Sequence, residues 1–440
     1  MESITEMKLN FNSRVKISFD GGELSSDTGE MLLAEFMEEI GVRKQIEGSF
    51  KTRDNAIRIH TDSQNLMQAL LQIFAGYFRD DCADHLMDEP VMKAILHKDA
   101  LASQPTMSRF FSRMDADTAL QLNEIVQALR RKIYAIKRPE YVLLDLDSTL
   151  LPAYGNQEGV GYNVHYSSVG YHPLVCYDGL TGDPIRVELR NGTEYCGKDA
   201  ADFLRPIFIE FKTYYPDIKL FFRGDSGFAM PEIYDLCEEF GVKYVIRLKQ
   251  NSKLTELSRY LDDILDQHAQ ADVTRHDTVY GQFIYQAQTW KRERRVVCKI
   301  DRAAGQFLHT PMFIVTNIEA DALSIKDCIA LYCNRGTMEN FIKESKNGFG
   351  FGMVGSSKKI VNSNRLLIHM LAQCIFNWFR RLVLPKGMAK MTIGTLRLKL
   401  IKIASRVISS GRYLHFKICS SCPYLEEFAL ILENIHSLMV

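Results

Sequence analysis

A stripe of four residues with complementary chemistry lies between positions 332 and 346. On a single helix that turns about 100° per residue, all four side chains fall within roughly 60° of arc. The stripe combines an aromatic hydroxyl, two cations and one carboxylate, from Tyr332, Arg335, Glu339 and Lys346. A carboxylate between two cations suits a site that holds a metal ion while it binds phosphate oxygens. The stripe therefore indicates phosphodiester chemistry.

Two apolar runs in the middle of the chain carry further carboxylates. Residues 141–150 read YVLLDLDSTL and predict a strand in which Asp145 and Asp147 point to the same face. Residues 219–225 read KLFFRGD and predict a second strand that ends at Asp225, where a Ser-Gly pair opens a loop. Acids at strand ends beside a loop are typical of active sites. These runs provide partners for the acid of the stripe.

The elements around these acids predict an α/β fold. Residues 139–251 predict three strands, a helix, a strand, a helix and a strand, an order that resembles an RNase H-like core with a mixed five-stranded sheet. Residues 252–322 contain one charged helix and several alternating stretches, and predict a β-rich insertion domain. Residues 323–350 predict the closing helix of the core, which carries the stripe. Gly336 lies inside this helix and weakens it.

Helical segments flank this core on both sides. Residues 1–138 predict a mainly helical DNA-binding domain, in which a short helix at 103–114 exposes Arg109 for contact with DNA. A helix of an ordinary bundle is the alternative interpretation. Residues 351–440 predict a basic helical C-terminal region. Between positions 345 and 425 there are fourteen lysines and arginines but no aspartate or glutamate, which favours a phosphate-binding surface over a merely solvated face.

The composition is typical of a globular protein. Its 440 residues include 46% hydrophobic side chains, and the formal net charge is zero. The first fifteen residues have no basic segment followed by an apolar one, and the most apolar stretch, 365–384, is interrupted by polar and basic side chains. Ten scattered cysteines fit a reducing compartment, and the single CxxC of Cys419 and Cys422 makes zinc a minor alternative. We expect a cytoplasmic protein with no membrane segment.

The motifs resemble those of bacterial insertion-sequence transposases of the DDE class. The signature helix of that family has Tyr, two residues, Arg, three residues, Glu, six residues and Lys, and the stripe matches it without a gap. Further similarity lies in DST at 147–149, in GYNVHYSSVGYHPLVCYDGLTG at 161–182 and in FRGDSGF at 222–228. The resemblance is strong over about residues 140–350 and looser before them.

This resemblance implies cut-and-paste transposition at the terminal inverted repeats of an insertion sequence. It implies that Asp147, Asp225 and Glu339 are the catalytic acids and hold two Mg²⁺ ions, with Mn²⁺ as a possible substitute. Cleavage by a metal-activated water is then followed by strand transfer, in which the freed 3′ hydroxyl attacks target DNA. The expected partners are double-stranded DNA, at the element ends and the target, and a second copy in a homodimer on DNA. The expected location is the bacterial nucleoid.

The resemblance also implies contacts with DNA. Arg335 and Lys346 are expected to hold phosphates of the transferred end, with Tyr332 packed or hydrogen-bonded beside them. Trp290 lies among basic residues of the insertion and is expected either to stack on a flipped base or to pack in a small β core.

Four other polar residues leave alternatives open. Arg247 and Lys249 alternate on the fifth strand, so they face either DNA or solvent. Asp145 competes for the place of the first acid, although the resemblance favours the aspartate two positions later and leaves Asp145 near the ions or in the core. Glu344 lies about 140° around the helix from the stripe and is expected to be solvated.

Two other classes of protein share some of these features. The segment DLDST also fits a haloacid dehalogenase-like phosphatase, with Asp145 as nucleophile and Asp147 as general acid. That class needs another acid shortly after GDSG, and the sequence FRGDSGFAMPEIYD supplies no close one. A non-catalytic DNA-binding protein is the other alternative, but all three acids of the signature are present.

Overall fold

The computed structural model describes residues 7–54 and 56–438, which form two compact units. The first unit contains the described residues up to Ile136, the segment Lys346–Met353 and the described residues from Leu367 onward. The second unit contains Lys137–Ser345 and Val354–Leu366. Among the described residues, no helix is both long enough and apolar enough to cross a bilayer.

The amino-terminal part of the first unit is mainly helical, as its apolar periodicity predicts. Its elements are β1 (Met7–Leu9), β2 (Asn12–Ile17), β3 (Leu24–Ser25), α1 (Glu30–Glu39), α2 (Val42–Ser49), α3 (Asp62–Ala75), α4 (Cys82–His85), α5 (Pro90–Leu96), α6 (Gln104–Ser112) and α7 (Ala116–Ile136). Helix α3 begins with a capping box, in which Thr61 and Gln64 exchange hydrogen bonds between side chain and backbone. Helix α6 buries its apolar face and leaves Arg109 exposed.

The second unit alternates strands with helices. Its elements are β4 (Tyr141–Ser148), β5 (Leu151–Pro152), β6 (Gly161–Asn163), β7 (Ser168–Tyr171), β8 (Leu174–Asp178), β9 (Pro184–Glu188), α8 (Ala200–Tyr214), β10 (Lys219–Gly224), α9 (Pro231–Glu239), β11 (Lys243–Leu248), α10 (Ser252–Ala271), β12 (Asp277–Tyr285), β13 (Arg294–Arg302), β14 (His309–Thr316) and α11 (Ile325–Cys333). A three-residue 3₁₀ turn follows β10 at Ser226–Phe228.

Eight of these strands form one mixed sheet in the order β12-β13-β14-β11-β10-β4-β8-β9. Strands β4, β10 and β11 are parallel, and every other neighbouring pair is antiparallel. The five strands predicted between residues 139 and 251 are neighbours in this sheet. The predicted number is wrong, because β14 pairs with β11 and extends the same sheet. The segment 252–322 is β-rich as expected, but its strands do not form a sheet of their own.

Helix α11 packs on this sheet. Its Ile329 and Tyr332 join an apolar cluster with Val245 of β11, Val297 of β13 and Ile314 of β14. Valine and isoleucine fit the half-buried surface of a pleated sheet, because their branched side chains pack against neighbours on the same face. The cluster therefore fixes the helix over β11, β13 and β14.

The helix predicted to carry the stripe is interrupted. Helix α11 ends at Cys333, and the next helix, α12 (Gly336–Phe349), begins at a glycine, a poor helix former. Tyr332 therefore lies on α11, Arg335 lies in the interruption and Glu339 lies on α12. The single-helix prediction is wrong, and a common helical arc does not relate the side chains of the stripe.

The carboxyl-terminal region is only partly helical. Its elements after α12 are α13 (Lys359–Leu382), α14 (Ile393–Leu396), a π-helical turn (Arg397–Ile401), β15 (Ser405–Ser410), β16 (Tyr413–Ile418) and α15 (Leu425–His436). Strands β15 and β16 form an antiparallel hairpin, and β15 also pairs with β3. The region that was predicted to be helical therefore also contains strands, because residues 405–418 form a hairpin that completes a three-stranded sheet with β3.

Candidate active site

The register of two neighbouring strands brings the predicted acids together. In the parallel pair β4 and β10, Arg223 lies opposite Asp145. Because side chains on one face of a strand recur every second residue, the next positions on that face are Asp147 and Asp225. Asp225 directly follows β10, and its carboxylate accepts a hydrogen bond of 2.8 Å from the backbone N–H of Gly227. The acids predicted from the two apolar runs therefore lie side by side at strand ends.

A buried ion pair lies beneath these acids. The guanidinium of Arg223 donates two hydrogen bonds of 2.6 Å to the carboxylate of Asp145, and only 1% and 0% of the two side chains are exposed. A third hydrogen bond of 2.6 Å runs from Arg223 to the backbone carbonyl of Leu331 in α11. Burial raises the pKa of Asp145, while the nearby guanidinium lowers it. One arginine therefore ties β4, β10 and α11 together.

The ion pair leaves no room for a side chain at Gly179. A Cβ atom there would collide with a carboxylate oxygen of Asp145 and would lie 3.1 Å from the guanidinium of Arg223. The backbone N–H of Gly179 also donates a hydrogen bond of 2.7 Å to the carbonyl of Leu143 in β4. Glycine is therefore required for close approach of this backbone to the sheet.

Arg335 lies between the two partly buried acids of the site, Asp147 and Asp225. Its guanidinium is 3.0 Å from the carboxylate of Asp147 and 4.0 Å from that of Asp225. It also donates a hydrogen bond of 3.1 Å to the carbonyl of Leu146 in β4. Burial alone would lower the pKa of Arg335, but the carboxylates beside it raise that pKa overall. The guanidinium is therefore a permanent counter-ion for both acids.

The environment of Asp147 combines opposing effects. Burial raises its pKa, and the charge of Asp225 raises it further. Arg335 and the backbone N–H of Ser148, which donates a hydrogen bond of 2.8 Å, both lower it. Since the net shift is upward, the ionised form of Asp147 depends on the cation beside it.

Glu339 does not join the two aspartates in this arrangement. It lies exposed in the first turn of α12 and forms no hydrogen bond or ion pair within the part of the chain that the structure describes. No group of three or more His, Cys, Asp and Glu side chains among the described residues could hold a metal ion. Asp147 and Asp225 fit a divalent cation in their chemistry, because they are hard oxygen donors that already flank one positive charge. Two of the three predicted ligands therefore lie together, and Glu339 does not lie with them.

The remaining stripe residues lie in different surroundings. Tyr332 is only 7% exposed and belongs to the apolar cluster beneath α11, so a direct contact with DNA is not compatible with its position. Arg247 and Lys249 are both exposed at the end of β11, and Arg247 forms a hydrogen bond with the Tyr332 hydroxyl. Lys346 is half-buried in the last turn of α12, and this burial lowers its pKa.

Trp290 is a core residue, which contradicts the prediction that it stacks on a DNA base. It is 6% exposed, and its ring lies 5.2 Å from the rings of both Tyr234 and Tyr285. The guanidinium of Arg294 lies 5.4 Å from the indole and also pairs with Glu238 of α9. The indole is therefore enclosed by side chains, and the alternative of a tryptophan in a β core is the one that the structure supports.

Two residues near the acids were not identified from the sequence. Arg223 could have been found, because it lies two positions before Asp225 in an apolar strand and so shares its face. Tyr166 follows no periodic pattern; its hydroxyl donates a hydrogen bond of 3.1 Å to the carbonyl of Ser148. Burial, assisted by the charge of Asp147, raises the pKa of Tyr166 to about 12, so it stays a neutral hydrogen-bond donor.

Comparisons with known proteins identify the family of the chain. No curated protein matches the sequence. Among solved structures, the chain is similar to the piggyBac transposase in a cryo-EM structure of its synaptic complex with hairpin DNA, at 12% identity, with 90% of this chain and 82% of that chain covered. The TM-score of 0.37 is too low for that similarity to support an inference. Residues 7–440 match the family described as Transposase DDE domain group 1. Since the match spans nearly the whole chain, the protein belongs to this family of DDE transposases.

Proposed function

We propose that this DDE transposase is the enzyme of a bacterial insertion sequence, which cuts DNA at the terminal inverted repeats and joins the freed ends to target DNA. One observation carries the proposal. The register of β4 and β10 places Asp147 and Asp225 side by side, and Arg335 of the third motif lies between them. An acid pair beside a fixed cation suits a reaction at a phosphodiester, which needs both metal ligands and a positive group for phosphate oxygens.

The sheet supports the RNase H-like part of the proposal. The five strands between residues 139 and 251 run in the order β11-β10-β4-β8-β9. Strands β11, β10 and β4 are parallel, β8 is antiparallel to β4, and β9 is antiparallel to β8. An RNase H-like core is expected to have this order, in which the first strand, here β4, lies in the middle and carries the first acid, Asp147. The second acid, Asp225, follows the fourth strand, here β10, which pairs with β4.

Asp147, Asp225 and Glu339 are the residues that would hold Mg²⁺. The bound ions would supply an activated water and would stabilise the leaving oxygen during cleavage. Two of these residues face each other across Arg335, while Glu339 is proposed on the spacing of its motif and on its accessibility in α12. The acids of this site must be ionised to act as ligands, and the charge of Arg335 favours the ionised form of Asp147.

Other residues of the chain hold the site in place and bind the substrate. Arg335 is proposed to bind a phosphate of the transferred strand, because its guanidinium lies at the acids and its Nε has no hydrogen-bond partner among the described residues. Arg247, Lys249 and Lys346 are proposed to bind further phosphates. Arg223 and Asp145 are proposed to act as positioning residues beneath Asp147 and Asp225. The proposed partners are double-stranded DNA and a second copy of the chain, and the proposed location is the bacterial nucleoid.

The geometry does not favour the phosphatase alternative. That mechanism needs Asp145 as an accessible nucleophile, whereas its carboxylate is fully buried and both oxygens accept hydrogen bonds from Arg223. A nucleophile so enclosed cannot attack a phosphate in solution. The positions of both aspartates and of the guanidinium between them argue against the non-catalytic alternative.

The test is cleavage of a supercoiled plasmid that carries the coding sequence with its native flanking DNA, in Mg²⁺ or Mn²⁺. We expect nicks or breaks at inverted repeats in the flanks with the wild type, and none with Asp147→Asn, Asp225→Asn or Glu339→Gln. Glu344→Gln is the matched control on α12 and Asp217→Asn is the control near β10; both should cleave normally. Full cleavage by Asp225→Asn contradicts the site assignment, and absence of cleavage by the wild type contradicts the proposed activity.

A further inference from the structure

A polar cleft opens in the first unit. It has a volume of about 480 Å³ and lies between the loop before α3 and the exposed face of α6. Three guanidinium groups line it, from Arg58, Arg109 and Arg113. A cavity of this size can receive a sugar-phosphate segment, and guanidinium groups are the side chains best suited to bind phosphate oxygens.

The three arginines differ in how far their charge is neutralised. Arg113 forms an ion pair of 2.7 Å with Asp62, and Arg58 pairs with Asp54. Arg109 donates only a hydrogen bond of 3.3 Å to the Thr106 hydroxyl and has no carboxylate partner among the described residues. Asp54 also lines the cleft but pairs with Arg58, so the guanidinium of Arg109 on α6 is the one cation among the three that no carboxylate of the described residues neutralises.

The floor of the cleft contains an acceptor without a donor. Asn65 is 1% exposed, lines the cleft and has a buried side-chain oxygen with no hydrogen-bond partner in the described part of the chain. Buried polar atoms are normally paired, so this oxygen points to a donor that comes from outside.

Two isoleucines beside the cleft are unusually exposed. Ile57 and Ile59 are 102% and 85% exposed, and they flank Arg58 in the chain. Two apolar side chains in water on either side of an arginine do not help folding, since neither is buried in the core. Aliphatic wedges of this kind enter the minor groove and separate base steps in proteins that bend DNA. The cations around them favour DNA over an apolar protein surface as the occupant.

We propose that this cleft and the isoleucine pair form a binding site for duplex DNA. Arg109 binds a backbone phosphate at the cleft, and Ile57 and Ile59 insert at a base step next to it, which bends the duplex. This inference rests on the proposed function, because that function identifies DNA as the partner. It goes further in assigning a bending site that uses none of the residues of the acid site.

The experiment measures binding and bending together, with the full chain and without divalent metal. The probes are a 40-base-pair duplex from the DNA flanking the coding sequence and a scrambled duplex of equal length, each with a donor and an acceptor fluorophore at its two ends. Affinity is measured at several salt concentrations, and energy transfer reports the distance between the ends. The variants are Ile57→Ala with Ile59→Ala, Arg109→Ala and Arg109→Lys. Ile209→Ala, which truncates an exposed isoleucine on α8, is the matched control.

The two kinds of variant should fail differently. The double isoleucine variant should bind about tenfold more weakly or worse, with no gain in energy transfer and an unchanged salt dependence. Arg109→Ala should lower the slope of log affinity against log salt by about 1, while Arg109→Lys restores it. Ile209→Ala should match the wild type.

Results that differ from these expectations would contradict either the DNA-bending inference or the proposed function. If the double isoleucine variant binds and bends both duplexes as the wild type does, the inference is overturned, and cleavage by the wild type still upholds the proposed function. If the double variant loses binding to a second copy of the chain but not to DNA, the site belongs to a protein interface and the inference is again wrong. If the wild type binds neither duplex, the proposed function fails as well.

Discussion

The guanidinium of Arg223 and the carboxylate of Asp145 form a fully buried, doubly hydrogen-bonded ion pair, in which both bonds are 2.6 Å. The same arginine binds the carbonyl of Leu331, four residues before Arg335. The pair therefore sets the height of α11 over the sheet. Through that helix it sets the position of the cation that faces Asp147.

Removal of one partner of this pair should destabilise the protein strongly. Arg223→Met leaves the Asp145 carboxylate buried and unpaired, so we expect the free energy of unfolding to fall by about 3–5 kcal/mol. The measurement is denaturant unfolding followed by circular dichroism. Lys253→Ala breaks the exposed pair with Glu256 and should cost less than about 1 kcal/mol. An equal loss in both variants would contradict the special role of the buried pair.

A methyl group at position 179 should disturb the same pair from the other side. Gly179→Ala forces a Cβ atom against the Asp145 carboxylate, and we expect a loss of about 1–3 kcal/mol, as for overpacking of a dense core. Gly355→Ala is the control, because no atom lies within 4 Å of its added Cβ. Thermal unfolding of the two variants in parallel is the measurement. Identical melting temperatures would show that the backbone at position 179 can move aside.

Loss of the cation between the acids should change the pH dependence of cleavage. Arg335 lowers the pKa of Asp147, against the upward effect of burial, so Arg335→Gln should raise that pKa further. Asp147 must be ionised to bind metal, and the acid limb of the pH–cleavage profile should therefore move to higher pH, with a loss of at least roughly tenfold near neutrality. Arg335→Lys keeps the charge and should shift the limb less. An unmoved acid limb in Arg335→Gln would argue against this coupling.

A buried acid in the first unit should make stability depend on pH. Glu30 is fully buried, and neither of its carboxylate oxygens has a hydrogen-bond partner among the described residues. Burial, with Asp27 and Glu89 adding to it, raises its pKa well above the ordinary value of 4.5. The folded state thus holds the proton more tightly than the unfolded chain. This contribution to stability is complete below pH 4.5 and is lost as the pH rises through the raised pKa of the folded state.

Replacement of this acid should stabilise the protein at neutral pH. Glu30→Met removes the unpaired carboxyl and should increase the free energy of unfolding by on the order of 1–3 kcal/mol. Glu30→Gln cannot titrate but keeps unpaired polar atoms, so it should flatten the pH profile with a smaller gain. The measurement is denaturant unfolding at several values between pH 4 and 8. A wild-type slope retained in Glu30→Gln would assign the pH dependence to other groups.

Local patterns in the sequence predicted the common face of Asp145 and Asp147, because strand faces follow a two-residue period. The alternation placed Asp145 with Asp147 on one face and ended the second run at Asp225. The pairing of β10 with β4 was inferred only through a resemblance, since the choice of strand neighbours depends on contacts far apart in the chain. The eight-stranded sheet was missed for the same reason.

Burial and charge pairing were harder to predict from local sequence. Trp290 lies among basic residues that look like a DNA-binding group, but Lys291, Arg292 and Arg294 pair with acids of α9, a helix distant in sequence. The acid-free tail shows a similar effect, because Arg397 donates its hydrogen bonds to backbone carbonyls of the first unit. A count of charges along the chain does not show which of them are already paired.

The close approach of Gly179 to the ion pair has a consequence for how such a protein loses activity under mutational drift. A codon change at this glycine leaves every acid and cation of the motifs intact, so the sequence still carries the complete signature. Its active site can nevertheless be silenced, because the carboxylate of Asp145 and the guanidinium of Arg223 no longer fit beside the new side chain. An intact set of three acids is therefore not sufficient to distinguish a functional copy from a decayed one.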